Sequence, residues 1–180
     1  MLFRWFLVAL ALLGFQTLAA QELHVPAKLV AETQQPAPGN NVTLAFVFEP
    51  EPGWHGYWEN PGDAGLGLQL EWTLPKGVTA GKPRFPVPKP LLIGGLMNHV
   101  YEDPHTILID LKLDRSLTAG STLPVAVIAN WLACTDTICV PQQDRFALLL
   151  RAGDGSIEAG QRRQFDQWRS KQRAHLQYLS

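Results

Sequence analysis

The residues best suited to chemistry are the only two cysteines of the chain, Cys134 and Cys139, which four residues separate. Apolar residues 125–132 precede the first cysteine, and apolar residues 146–150 follow the second after a short polar segment. Two apolar runs joined in this way predict a β-hairpin, with the cysteines on neighbouring strands at its tip. Neighbouring strands bring Cα atoms to about 4.5–5.5 Å, a separation that a disulfide tolerates. The use of this pair therefore decides what the protein does.

Two uses of the pair are compatible with the spacing. A disulfide that closes so short a loop stabilises a fold by about 2 kcal/mol, less than a long-range bridge would. A short, exposed loop instead favours a labile disulfide that exchanges with other thiols. The spacing alone leaves a structural bridge and a redox-active pair equally open.

Several polar side chains are candidates for the surroundings of the cysteines. Asp136 lies between them, where its charge would raise a thiol pKa, although it is equally suited to a plain turn. His99, Tyr101 and Glu102 can approach the tip only if the fold brings them there. They would equally suit the ordinary roles of a surface histidine, a core tyrosine and a solvated glutamate. The histidines lack the spacing of metal ligands, so we expect neither a metal nor a cofactor.

Aromatic residues give the alternative function. Trp54, Tyr57 and Trp58 follow one another closely and would suit a surface that binds a protein or a glycan, with the disulfide purely structural. The same residues would equally suit the core of a sandwich with one exposed ring. The formal net charge of -1 gives no reason to expect nucleic acid as a partner.

The first 20 residues have the features of a signal peptide. Arg4 precedes an apolar run over residues 5–15, and small residues follow as far as Ala20. The run is shorter than the roughly 20 apolar residues of a membrane span, and no later segment suits one. We expect an exported chain that does not span the membrane after processing, in a compartment where disulfides persist.

The elements that position the cysteines are predicted to be strands. Residues 42–48, 68–74 and 107–113 alternate apolar and polar side chains, and turn residues separate them. Seven or eight such strands indicate an all-β antiparallel sandwich over residues 21–153. Residues 59–67 are expected to form an irregular loop. After Ser156, apolar residues at helical spacing predict an amphipathic helix, either packed on the sandwich edge or frayed in solvent, in an extension over residues 154–180.

Four segments together resemble a known family. Residues 54–65, 71–75, 101–102 and 131–141 are similar to the N-terminal periplasmic domain of the DsbD/ScsB thiol:disulfide interchange proteins. The resemblance implies an immunoglobulin-like sandwich in which Cys134 and Cys139 are the catalytic pair of a protein-disulfide reductase. It implies Cys139 as the sulfur that faces the partner. The implied surroundings are His99, Tyr101, Glu102, Trp131 and Asp136.

The resemblance also implies a cap and partners. In such proteins a mobile loop shields the cysteines, and the position of residues 86–98 makes this apolar segment the candidate, with Leu96 and Met97 as covering side chains. The implied electron donor is a thioredoxin-like domain, and the acceptors are periplasmic proteins. Because the sequence holds neither a thioredoxin-like domain nor a membrane carrier, we expect a membrane thiol carrier on another chain.

Overall fold

The computed structural model describes residues 22–178 of the chain, with side chains to residue 172. The predicted signal peptide lies outside the described residues. Of the helices in the described part, none is both long enough and apolar enough to cross a lipid bilayer.

The described residues form ten strands and one helix, and every strand pairing is antiparallel. In chain order these are β1 Ala27–Ala31, β2 Asn41–Phe48, β3 Gly56–Gly62, β4 Gln69–Thr73, β5 Val78–Ala80, β6 Lys89–Ile93, β7 Leu96–Tyr101, β8 His105–Leu113, β9 Thr122–Cys134, β10 Cys139–Arg151 and α1 Ala159–Tyr178. The predicted all-β architecture with a C-terminal helix is confirmed.

The strands form three sheets, in the orders β1-β2-β8-β5, β10-β9-β4 and β3-β7-β6. The first two pack face to face, because Phe46 and Ile109 of one sheet share a buried cluster with Val127 and Trp131 of the other. Each such side chain contributes roughly 1.5–3 kcal/mol by leaving water. This arrangement is an immunoglobulin-like β-sandwich, and the third sheet covers one end of it.

The predicted apolar loop over residues 86–98 is a β-hairpin, so the loop prediction is wrong. Strands β6 and β7 pair from Lys89↔Val100 to Ile93↔Leu96, and Gly94 and Gly95 make the turn. Both glycines have positive φ, 56° and 86°, as a two-residue hairpin turn requires. Proline suggested a loop, but β6 is an edge strand, where proline is tolerated.

Two further boundaries differ from the predictions. The predicted irregular loop over residues 59–67 is a strand as far as Gly62, because β3 continues alongside β7 after a shift in register. The helix begins at Ala159 and packs on the outer face of the first sheet rather than on an edge. Phe165 is fully buried against Ala45 and Leu108 on that face, and the small side chain of Ala45 leaves room for the ring.

Candidate functional site

The two cysteines form a disulfide at the end of the β9–β10 hairpin, as the predicted hairpin requires. They are directly opposed in the strand register, with Cα atoms 4.1 Å apart. The turn between them is closed by the Thr135 amide, which donates to the Ile138 carbonyl at 2.8 Å. The Thr135 hydroxyl in turn accepts from the Ile138 amide at 3.2 Å. The pair therefore lies where two long strands leave the sandwich.

The two sulfur-bearing residues differ in their access to solvent. Cys134 is 0% exposed and lies in a cluster with Tyr57 and Val100, whereas Cys139 is exposed. Because side chains alternate along a strand, Cys134 points away from the main core, and the third sheet covers it. A thiolate arriving from solvent therefore reaches Cys139 before Cys134.

His55, which is not among the predicted surroundings of the pair, lies beside the buried cysteine. Its amide donates to the Cys134 carbonyl at 2.8 Å, and the Cys134 amide donates to its carbonyl at 3.0 Å. Residues opposed in this way point their side chains to the same face. Cys134 thus has Cys139 on one side and His55 on the other.

The imidazole of His55 is enclosed. It is 2% exposed, and its Nε2 lies 3.3 Å from the phenolic oxygen of Tyr57. Burial lowers the pKa of His55, and the negative charges of Glu102 and Asp136 oppose that shift. Burial also raises the pKa of Tyr57. The site therefore holds a neutral imidazole and a protonated phenol at neutral pH, with two carboxylates acting on the imidazole.

The predicted surrounding residues divide into two groups. Glu102 and Asp136 are both exposed, and their negative charges raise the pKa of His55 against the effect of its burial. Trp131 and Tyr101 point into the main core instead. The Trp131 indole donates to Gln142 Oε1 at 3.0 Å, and the Tyr101 hydroxyl donates to the Pro86 carbonyl at 2.7 Å.

His99 lies on the third sheet. Its ring packs edge-on against Trp58, with centroids 5.5 Å apart, and its Nδ1 lies 3.0 Å from the Asn60 carbonyl oxygen. Among the side chains that the structure describes, as far as residue 172, no group of three or more histidine, cysteine, aspartate or glutamate residues is placed to hold a metal ion. The roles of the five predicted surrounding residues stay predictions.

The β6–β7 hairpin covers Cys134 with its stem. Val100 is buried against Cys134 and Tyr57, and Leu91 packs against the same cluster. Leu96 and Met97, near the turn, are exposed. The Met97 amide donates to the Asp63 carboxylate at 2.8 Å, which fixes this end of the hairpin to the loop after β3. The covering role of Leu96 and Met97 stays a prediction.

The aromatic residues of the alternative function belong mostly to the fold. Trp54 and Trp58 are half-buried and pack against the main core, and Tyr57 is buried. The ring of Trp54 is stacked on the ring of His24, with centroids 3.7 Å apart. Binding of a protein or a glycan by these rings stays a prediction.

Comparison with known proteins gives a family match. The model of the family described as the N-terminal part of thiol:disulfide interchange protein DsbD matches residues 24–151. No curated protein matches the chain.

Three solved structures are similar to this chain to different degrees. The N-terminal periplasmic domain of ScsB from Proteus mirabilis is 19% identical with a TM-score of 0.61, over 82% of this chain and 54% of that one. This chain thus spans about half the length of that structure. The reduced N-terminal domain of DsbD from Neisseria meningitidis is 12% identical with a TM-score of 0.42, over 72% and 87% of the two chains. A complex of the DsbD and PilB N-terminal domains from Neisseria meningitidis is 13% identical with a TM-score of 0.38, over 72% and 87%.

Proposed function

The chain belongs to the family of the N-terminal domain of thiol:disulfide interchange protein DsbD, and we propose that it passes reducing equivalents between other proteins through Cys134 and Cys139. The donor is a protein with a thioredoxin fold, and the acceptors are periplasmic proteins with disulfides. The observation that carries the proposal is the unequal exposure of the two cysteines, one open to solvent and one fully buried.

The unequal exposure supports an order of events. A thiolate of the donor attacks the sulfur of Cys139, forms a mixed disulfide, and displaces Cys134, which takes up a proton. A second donor thiol then attacks the mixed disulfide and releases Cys139. The donor has become a disulfide, and this chain has gained two electrons and two protons as a dithiol. The reverse sequence, with Cys139 attacking an acceptor disulfide and Cys134 displacing the acceptor, delivers them.

Exposed apolar side chains on two hairpins support docking of a protein rather than a small thiol. Ile138, which precedes Cys139, is 55% exposed, and Leu96 and Met97 are exposed on the β6–β7 hairpin. Exposed apolar residues of this kind mark surfaces where proteins meet. In this proposal the stem of the hairpin is the cap over the pair, and the partner docks against its exposed end.

Location and the electron source complete the proposal. The predicted signal peptide supports export to the periplasm, where disulfides persist. ScsB, whose fold is similar, is described as having an N-terminal periplasmic domain. A membrane thiol carrier on another chain reduces the thioredoxin-fold donor.

Trapping of a mixed disulfide tests the proposal. In Cys134→Ser the exposed Cys139 lacks its resolving sulfur, so incubation with periplasmic extract is expected to accumulate a reducible adduct with a thioredoxin-fold protein, seen on non-reducing gels and identified by mass spectrometry. Cys139→Ser is the matched control, and its buried Cys134 is expected to trap little. The proposal is wrong if Cys134→Ser traps nothing and the native disulfide also resists dithiothreitol.

A further inference from the structure

The buried sulfur of Cys134 needs a proton partner. Whenever the disulfide opens, Cys134 leaves as a thiolate in a place with no solvent exposure, among Tyr57, Val100, Leu91 and Leu132. Burial disfavours the charged form, so the thiolate takes a proton at once. When the disulfide closes, the same buried thiol must lose that proton before it can attack. Exposed Cys139 can exchange protons directly with water, whereas buried Cys134 lacks this direct access.

One titratable side chain is opposed to Cys134 across the strand pairing. His55 exchanges two backbone hydrogen bonds with Cys134, of 2.8 and 3.0 Å, and this pairing turns both side chains to one face of the sheet. The groups that act on His55 come from three elements. They are Tyr57 in β3, two residues after His55, Glu102 after β7 and Asp136 in the hairpin turn.

We propose that His55 is the proton acceptor and donor of Cys134 during exchange. The inference rests on the proposed function, because it describes how the same pair of sulfurs reacts. An imidazole suits the task because its two ring nitrogens can hold and release a proton near neutral pH. Burial keeps His55 neutral and ready to accept, and Glu102 and Asp136 stabilise the positive charge that follows.

The Cys134–Cys139 disulfide closes when the chain delivers electrons to an acceptor. In the mixed disulfide of Cys139 with an acceptor, the proton of the Cys134 thiol moves to the imidazole of His55. The Cys134 thiolate bonds to the sulfur of Cys139, and the bond from that sulfur to the acceptor breaks. The acceptor sulfur leaves as a thiolate with the electron pair, and the imidazolium passes its proton to solvent. The cysteine pair has lost two electrons, and the acceptor disulfide has gained them.

A chromogenic disulfide isolates this step. Reduced full-length chain mixed with one equivalent of dithiobisnitrobenzoate releases a first coloured thiolate when Cys139 attacks, at a rate that depends on concentration. It releases a second when Cys134 closes the disulfide, at a rate that does not. Stopped-flow absorbance from about pH 5.5 to 9 therefore gives a separate pH profile for the buried thiol, on both sides of the usual histidine pKa of about 6.5.

His55→Gln is the test variant. Near neutral pH, its second release is expected to be about 100-fold slower than that of the wild type, the usual size of general-base assistance. Its rate should keep rising with pH beyond about 8.5, where an unassisted thiol ionises. The first release should stay within about twofold, because Cys139 exchanges with water. A second release with the wild-type rate and pH profile would overturn the inference.

A matched histidine controls for general effects of the substitution. The ring of His105 is stacked between Phe48 and Tyr101, and it lies on the opposite side of β3, near the Cα of Gly56. His105→Gln is expected to give the wild-type second release. A His105→Gln profile that changes as the His55→Gln profile does would also overturn the inference.

The wild type alone decides the matter if His55→Gln does not fold. Its second release is expected to level off by about pH 7, because His55 titrates below the usual histidine pKa. A wild-type rate that still rises beyond about pH 8.5 would overturn the inference. Failure of the proposed function looks different, since a wild-type pair that cannot be reduced, or that never gives a second release, shows no exchange at all.

Discussion

The amide side chain of Gln142 joins the hairpin of the disulfide to the rest of the sandwich. Gln142 is buried, three residues after Cys139, and its Oε1 accepts hydrogen bonds from the Val25 amide and the Trp131 indole, both at 3.0 Å. Its Nε2 donates to the Glu22 carbonyl at 3.3 Å. One side chain therefore satisfies two buried donors and fixes the N-terminal segment against β10.

We expect Gln142→Leu to lower the free energy of unfolding by about 2–4 kcal/mol, because two buried N–H groups lose their acceptor. Urea denaturation of the oxidised protein measures the change. Gln143→Leu is the matched control, since Gln143 is exposed and its amide donates only to Asn130 Oδ1 within the described residues. It should cost within about 0.5 kcal/mol. Equal losses in the free energy of unfolding would show that the buried amide of Gln142 stabilises the fold no more than the exposed amide of Gln143 does.

Single residues of the site were predictable from sequence to different degrees. The opposed cysteines follow from local pattern, because a short loop between two apolar runs fixes their pairing. The proximity of His55 to Cys134 does not, because it depends on a pairing between distant segments that no local periodicity encodes. Alternation of His55 and Tyr57 in a strand-like segment was the available signal, and the aromatic neighbours drew the interpretation towards a binding surface.

Among the elements, local pattern was sufficient where only one periodicity fitted. Strands β2, β4 and β8 alternate apolar and polar residues, or are apolar throughout, and were predicted close to their observed bounds. The β6–β7 hairpin was not, because Pro90 and the prolines just before β6 argued against strands. The edge position that makes a proline tolerable there is a property of the assembled sheet. The placement of α1 on a sheet face likewise depends on small side chains of β2.

The β6–β7 hairpin gives a prediction about access to the pair. Val100→Ala removes two methyl groups packed against Cys134 and Tyr57, so we expect a loss of about 2 kcal/mol in the free energy of unfolding. The resulting space should also speed reduction of the disulfide by dithiothreitol. Met97 is 42% exposed, so Met97→Ala should change stability by no more than about 0.5 kcal/mol.

Reduction by a small thiol and reduction by a protein are expected to distinguish the two variants of the β6–β7 hairpin. Met97→Ala is expected to leave the rate with dithiothreitol unchanged and to slow exchange with a thioredoxin-fold protein, which would contact the exposed end. If Met97→Ala speeds reduction by dithiothreitol as much as Val100→Ala does, the exposed end of the hairpin covers the pair and our assignment to the stem is wrong.

For the molecule as a whole, the core continues beyond the family match, which ends at residue 151. Helix α1 covers the outer face of the first sheet, where Phe165 packs against Ala45 and Leu108. The Arg169 guanidinium forms an ion pair with the Glu32 carboxylate and donates a hydrogen bond to the Thr43 hydroxyl at 3.2 Å. The buried carboxylate of Glu32 therefore has a positively charged partner on the helix. The disulfide lies on the outer face of the other sheet. Phe165 and the disulfide are therefore on opposite faces of the sandwich, while Trp168 and Lys171 farther along the helix line a cavity with Glu102.

This separation predicts that docking of the helix affects stability and not exchange. Phe165→Ala should lower the free energy of unfolding by about 3–5 kcal/mol, the usual cost of removing a buried ring. Gln164→Ala, at an exposed position of the same turn, should cost no more than about 0.5 kcal/mol. Urea denaturation compares them, and release of the first coloured thiolate from dithiobisnitrobenzoate should be the same in both. If Phe165→Ala is as stable as Gln164→Ala, the helix does not contribute to the core, and the sandwich ends near residue 153 as an independent unit.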